Sequence, residues 1–444
     1  MFNILDFGAA ADGKTLCTGA IQKAADSCRE NGGIVYIPFG IYVSGTIHLS
    51  SNTHFVFEPG AKILGSSNVD DFDSRESPDY PLYQDASHSY FHRSLFCAEN
   101  CRNITFSGLG TIDMQDVWEE IPVPGEGEWN ERRANKIFAF KNCRDISITD
   151  LTLLNSTDLA VYLAGCENVK ISKLTLDVGI DGISPDCCKN VTISDCIIRS
   201  GDDGIVLKSS YTLGKKQLCE NIVITNCTVT SRCSAIKLGT ESNGGFKSIV
   251  ISNCVVYDTF YGALSFEITD GGDIDGIIAS NITMRNVGYP LFIILSDRRR
   301  GPSDTTHLGT LKNIIVENIT ASGPYTKWMA PRLTSLFDGE TEAEAQVMPC
   351  TITGQPNRSI ENITLSNIYI TVPGGVTADD RNVVLPEITN KYPENYMFGE
   401  RFPAYGMYFR HVKNLNLKNI NIDTLEPDQR HKFVFDDVEN LSVE

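Results

Sequence analysis

Apolar and polar residues alternate in short stretches along the chain, and a turn residue, most often Asn, opens each stretch. The phrase reads Asn103-Ile-Thr-Phe, Asp145-Ile-Ser-Ile, Asn168-Val-Lys-Ile, Asn190-Val-Thr-Ile and Asn221-Ile-Val-Ile, and it returns at Ser248, Asn313, Asn362, Asn414 and Asn440. Five positions on stands a second polar residue, as at Asp150, Lys173, Asp195, Asn226, Asn253, Asn318, Asn367 and Asn419. A period of two turns one face of each stretch inward. A single coil of such strands cannot bury that face alone, so coils stack about 4.8 Å apart and share a core. Turn residues lie as close as 22 positions, from Asn168 to Asn190, which is one coil of a parallel β-helix; wider spacings are coils carrying loop insertions. The pattern predicts an all-β solenoid with Asn side chains laddered along its turns.

Residues about 14–31, with Ala20, Ile21, Ala24, Ala25 and Cys28 on one face, predict an amphipathic helix that caps one end of the solenoid. Segments 67–100, 114–135, 296–310 and 323–358 break the repeat and are expected to border a groove. The expected organisation is one domain over 1–444: cap and first coils to about 66, groove-bordering insertions over about 67–135, and main coils over 136–444. The cysteines follow the repeat. Cys101, Cys143, Cys166, Cys188 and Cys219 each precede a turn residue by two, and Cys196, Cys227 and Cys254 each follow one by six. Two stacks of buried thiols are expected; zinc would want paired Cys-x-x-Cys spacing, and Cys187-Cys188 is the only close pair within the repeat.

Charge narrows the partners. The chain has 444 residues, with 38 Lys+Arg against 56 Asp+Glu, a net charge of −18. Nucleic acid is excluded as the main partner, because phosphate binding needs clustered cations. No apolar run approaches the ~20 residues that span a bilayer, so no membrane partner is expected. Met1-Phe2-Asn3-Ile4 enters a strand without a basic or apolar leader, so the expected location is cytoplasmic, with reduced thiols. No cofactor or phosphate-loop motif is present, so none is expected. The flat flanks of such a solenoid leave a homo-oligomer open.

Carboxylates cluster in the middle coils. The repeat lays Gly179-Ile-Asp181-Gly over Gly201-Asp202-Asp203-Gly, so that Asp181 and Asp203 share a column one coil apart, with Asp202 beside them. Asp-Asp-Gly alone reads as a turn. Three stacked acids read as chemistry, because carboxylates that close cannot all ionise freely and one stays protonated. A general acid beside ionised carboxylates is what glycoside hydrolysis uses.

The chain resembles glycoside hydrolase family 28, the polygalacturonase family of right-handed parallel β-helices. The resemblance runs through Phe2-Asn-Ile-Leu-Asp-Phe-Gly-Ala9, Gly32-Gly33-Ile-Val-Tyr-Ile-Pro38, Gly108-Leu-Gly-Thr-Ile-Asp113, Ile180-Asp181-Gly182 and Gly201-Asp202-Asp203. It implies that Asp202 is the general acid, that Asp181 and Asp203 activate water in an inverting displacement, and that Tyr289 lies in the active site. Two family features are altered. Cys233-Ser234-Ala235 stands in place of Gly-His-Gly, and Ser265-Phe266-Glu267 in place of the Arg-Ile-Lys that grips a galacturonate carboxylate. Lys237 falls one coil below Ser265 and is a candidate replacement; Lys208 and Glu241 flank the same groove, and Arg299, within Arg298-Arg299-Arg300, is a candidate clamp on an acidic sugar. Trp118, Trp129 and Trp328, in the insertions, are candidates for stacking on sugar rings or for anchoring their loops. His88, His92 and His307 are candidate subsite residues.

The function expected is an exo-acting glycosidase on short pectin-derived or related oligosaccharides, with altered carboxylate recognition. Two other readings stay open. A β-helix polysaccharide lyase would need a base and a cation, with Lys208 two pleats away along its strand. A non-catalytic carbohydrate-binding β-helix would explain the altered motifs. Sugar identity, linkage and endo or exo action depend on loop geometry that the repeat does not encode.

Overall fold

A computed structural model describes residues 1–74, 76, 78–83, 93–122, 130–133, 135–323, 327–329, 342–344 and 348–444. The repeat folds into a parallel β-helix. Ile183–Asp186, Lys189–Ser194 and Ile197–Ser200 form one coil, and each strand pairs in parallel with its counterpart in the next coil, Ile205–Ser209, Cys219–Thr225 and Thr228–Ser231. Both predicted turn columns take left-handed backbone. Asn168, Asn190 and Asn221 have φ of 56°, 57° and 58°, and Asp195, Asn226 and Asn253 have 58°, 57° and 54°. Asn is among the few residues with a Cβ that adopt this conformation readily. Its amide also joins coil to coil: Asn190 Nδ2 donates to Asn168 Oδ1 and Asn221 Nδ2 to Asn190 Oδ1, each at 3.1 Å.

The inward column Val169, Val191, Ile222, Ile249, Ile277, Ile314, Ile363 and Leu415 is buried throughout and stays in register. Burying each such side chain is worth about 1.5–3 kcal/mol. In the early coils stacked rings fill the interior, with Phe55 and Phe106 centroids 4.9 Å apart. The cysteines form the two expected stacks, and their thiols donate to carbonyls of the neighbouring coil, Cys166 Sγ to Phe140 O and Cys188 Sγ to Leu163 O. The cap helix is shorter than the periodicity predicts, Thr18–Asp26, because Asp12–Leu16 is drawn into a strand against Gly40–Ser44. Ile21, Ala24 and Ala25 still bury its inner face.

An outward column carries alternating charge. Arg144, Glu167, Lys189, Glu220, Lys247, Asp275, Lys312, Glu361, Lys413 and Glu439 are successive cross-strand neighbours. Of the expected insertions, 114–135 and 323–358 contain two antiparallel pairs, Glu119–Pro122 with Asn130–Arg133 and Lys327–Met329 with Glu342–Glu344. A further insertion, 375–403, lies between Ile360–Gly374 and Ala404–Glu426. It packs Leu385, Met397, Phe398 and Phe402 onto the outer side of the coils, against Tyr289, Phe292, Ile294 and Tyr408. Among the described residues no helix is long and apolar enough to cross a membrane.

Candidate active site

The turns 179–182 and 201–204 bring three acids to the entrances of neighbouring strands. Coils meet closely here: a Cβ on Gly201 would stand 2.1 Å from the Gly179 carbonyl oxygen, so only glycine fits. Gly182 N–H donates to Asp203 O at 3.0 Å, which sets Asp181 beside Asp203. Carboxylate oxygens of Asp181, Asp202 and Asp203 all lie within 4.8 Å of one another. Asp181 and Asp203 are buried, at 2% and 5% exposure, and Asp202 is half-buried. Backbone amides hold the sunken pair, with Asp203 N–H donating to Asp181 Oδ1 at 3.3 Å and Ser234 N–H to Asp203 Oδ1 at 3.0 Å. Burial pushes the Asp203 carboxyl above the usual aspartate range, and Asp202 adds to this while Lys237 opposes it. These oxygens are the one group among the described residues close enough together to hold a cation.

The lysines stand differently from the sequence expectation. Lys208 is not two pleats away: its Nζ lies 3.6 Å from Asp181 Oδ2 and 3.2 Å from Glu241 Oε2. Strand register puts Lys208 beside Asp186, and its long side chain reaches back over the turn to Asp181. Lys237 does lie in register with Ser265, but it is 2% exposed and ringed by carboxylates. Its Nζ is 3.4 Å from Asp203, 3.9 Å from Glu267 and 3.5 Å from Glu394. Burial disfavours both ammonium groups, yet the acids around them outweigh it and hold both well above the ordinary lysine range. Each buried lysine thus supplies positive charge directly beside the acids.

Sequence reasoning missed Glu394 and Tyr392, which enter from the 375–403 insertion. Tyr289 hydroxyl donates to Glu394 Oε2 at 2.7 Å, and Lys237 Nζ lies 5.6 Å from the Tyr392 ring centre. A signal was present: Lys391-Tyr-Pro-Glu-Asn-Tyr-Met-Phe is an aromatic-rich break in the repeat. Glu267 is fully buried beneath this cover, and neither of its oxygens has a hydrogen-bond donor among the described residues. Burial drives its carboxyl, like that of Glu394, above the usual glutamate range. Glu241, 2% exposed, is engaged by Lys208.

The arginine run does not converge on the acids. Arg298 is tied to Asp270 through Nε at 2.9 Å and Nη2 at 2.6 Å, and Arg299 is half-exposed and paired with Asp297. Cys233 stands against Asp202, and burial together with the Asp202 and Asp203 charges keeps its thiol protonated. Trp118 is half-buried and His307 exposed. Trp129, His88, His92 and the Trp328 side chain lie outside the described residues. A cavity of about 450 Å³ is lined by Phe260, Tyr261, Gly288, Tyr289, Met348, Tyr396, Gly399 and Glu400.

The family model for glycosyl hydrolases family 28 matches residues 82–366. A probable polygalacturonase of Vitis vinifera is 29% identical over 66% of this chain and 62% of its own length, so the match spans less than two thirds of that relative. An exo-poly-alpha-D-galacturonosidase of Dickeya chrysanthemi is 22% identical over 83% of this chain and 71% of its own. The crystal structure of an exopolygalacturonase from Thermotoga maritima superposes with a TM-score of 0.68 at 20% identity, covering 94% of this chain and 91% of the other, which establishes the shared fold.

Proposed function

The chain belongs to glycosyl hydrolases family 28, whose members among its homologues are glycosidases, and on that premise we propose that it hydrolyses short pectin-derived or related oligosaccharides from one end. The observation that carries this is the triad of acids within 4.8 Å, two sunken and one open. Asp202, the accessible member, protonates the leaving oxygen. Asp181 and Asp203, held by backbone amides, take the proton from the attacking water. Exo action is supported by the 375–403 segment, which lies over the outer side of the coils beyond Tyr289. Altered carboxylate recognition is supported by Ser265 and Glu267, which are fully buried and present no cation.

Inversion follows the family resemblance. Retention is the other stereochemical outcome open to a pair of carboxylates. Proton NMR of the first-formed anomer separates the two. Asp202→Asn should lower kcat on the best substrate of a short-glycoside panel by about 10²–10⁴-fold while KM changes little. Full activity in that variant would remove Asp202 from the chemistry, and a product absorbing in the ultraviolet would indicate elimination instead.

A further inference from the structure

Lys237, Tyr289 and Glu394 form a carboxylate cradle that the chain has filled with its own side chain. The Lys237 ammonium lies 3.5 Å from Glu394 Oε1, and the Tyr289 hydroxyl donates to Glu394 Oε2 at 2.7 Å. An ammonium and a phenol converging on the two oxygens of one carboxylate is how a protein recognises a carboxylate ligand. Here that ligand arrives from a segment 105 positions beyond Tyr289. The cradle adjoins the acids, since Lys237 Nζ is also 3.4 Å from Asp203 Oδ2.

Tyr289 of the cradle also forms part of the wall of a cavity. Asp202 is followed by Cys233, which stands against it, and Tyr261 N–H donates to the Cys233 carbonyl at 3.0 Å. Tyr261 is in the cavity wall, so Cys233 and Tyr261 connect Asp202 to the edge of that space. Its volume, about 450 Å³, falls among small-molecule sites of about 300–1,000 Å³. The walls are aromatic and thioether surfaces, with Tyr261 and Tyr396 ring centres 5.7 Å apart. Among the described residues the one charged side chain in the lining is an acid, Glu400. Arg232 is near enough to act on the Tyr261 phenol but does not line the cavity. An entering carboxylate would find Lys237 and Tyr289 already engaged by Glu394, and would meet Glu400 and no cation among the described lining residues. An uncharged ring would find faces to stack on.

We propose that Glu394 is a built-in stand-in for a substrate carboxylate, and that the cavity beyond Asp202 receives an uncharged glycosyl unit as the leaving group. The proposal rests on the glycosidase reading above and adds to it the class of sugar on the leaving side.

The test uses two α-linked disaccharides of galacturonic acid that differ only at C6 of the reducing unit, galactose in one and galacturonate in the other. The wild type should favour the galactose-ended substrate by about tenfold or more in kcat/KM. Glu394→Ala should move the ratio toward the galacturonate-ended substrate by about tenfold, mainly through KM, and Glu394→Gln, which keeps the shape without the charge, should move it the same way by less. A wild type that prefers the galacturonate-ended substrate, or a ratio unmoved in both variants, would overturn the proposal. Calorimetric titration with free galacturonate and free galactose keeps the question apart from turnover. Galacturonate should bind Glu394→Ala and not the wild type, even if neither protein cleaves either disaccharide. Equal galacturonate binding by both proteins, or by neither, would overturn the cradle without touching the assignment of Asp202.

Discussion

Single residues carry two kinds of constraint here, one of backbone and one of charge. Asn190 holds φ at 57° and bonds to Asn168 below and Asn221 above. Its replacement by Ala loses the ladder and also forces a Cβ residue without polar compensation into left-handed backbone, at about 1–2 kcal/mol. Asn190→Gly keeps the conformation and loses only the ladder. Denaturant midpoints should therefore rank wild type, then Gly, then Ala; Ala at least as stable as Gly would show that backbone strain does not govern the turn. Glu267 supplies the charge case. Its folded carboxyl is raised above the ordinary value of about 4.3, so between that value and its higher folded one the native state holds the proton more tightly than the unfolded chain. Stability contributed by this group is present at low pH and falls as pH rises through that window. Glu267→Gln should accordingly be more stable than wild type near neutral pH, with the gap closing toward about pH 4. A gap independent of pH would mean that the glutamate is not the titrating group.

At the scale of strands, the alternating column from Arg144 to Glu439 shows how coils are kept in order. From Glu167 to Lys413 each rung meets opposite charge above and below, with Lys189 Nζ 3.0 Å from Glu220 and Lys413 Nζ 3.5 Å from Glu439, while Arg144 at the start lies next to Arg102. Sliding one coil past its neighbour by a residue would break this match and turn apolar side chains outward. Lys247→Glu would set three like charges in a row, between Glu220 and Asp275. Thermal unfolding should register a loss of about 1 kcal/mol, shrinking as salt is added, and larger than for Lys247→Ala. A salt-independent loss would point to packing instead of charge. The column was legible in the chain, because the residue just before each turn Asn changes sign from coil to coil: Glu167, Lys189, Glu220. The cap helix was read less well. Its amphipathic pattern begins at about residue 14, but pairing of Asp12–Leu16 with Gly40–Ser44 claims the first of those residues.

For the whole molecule, the net charge of −18 bears on substrate capture. Repulsion of a polyanionic oligosaccharide reaches about 30 Å at 0.01 M salt and about 8 Å at physiological ionic strength. Raising salt over that range should increase kcat/KM for long uronate oligomers and leave a disaccharide nearly unaffected; equal responses would place the charge effect within the site. The sequence alone determined the solenoid, both columns of turn residues, the thiol stacks and the meeting of Asp181 with Asp203. All of these follow from a period of two within strands and a repeat between coils, so they are local rules copied along the chain. Tertiary structure alone decided what surrounds the acids. Lys208 reaches Asp181 because a long side chain bends over a turn, and strand alternation says nothing about that. Glu394 and Tyr392 meet Lys237 because an insertion outside the repeat folds back onto the coils. No periodicity gives the path of such a segment; it is set by where Met397, Phe398 and Phe402 find apolar surface to bury.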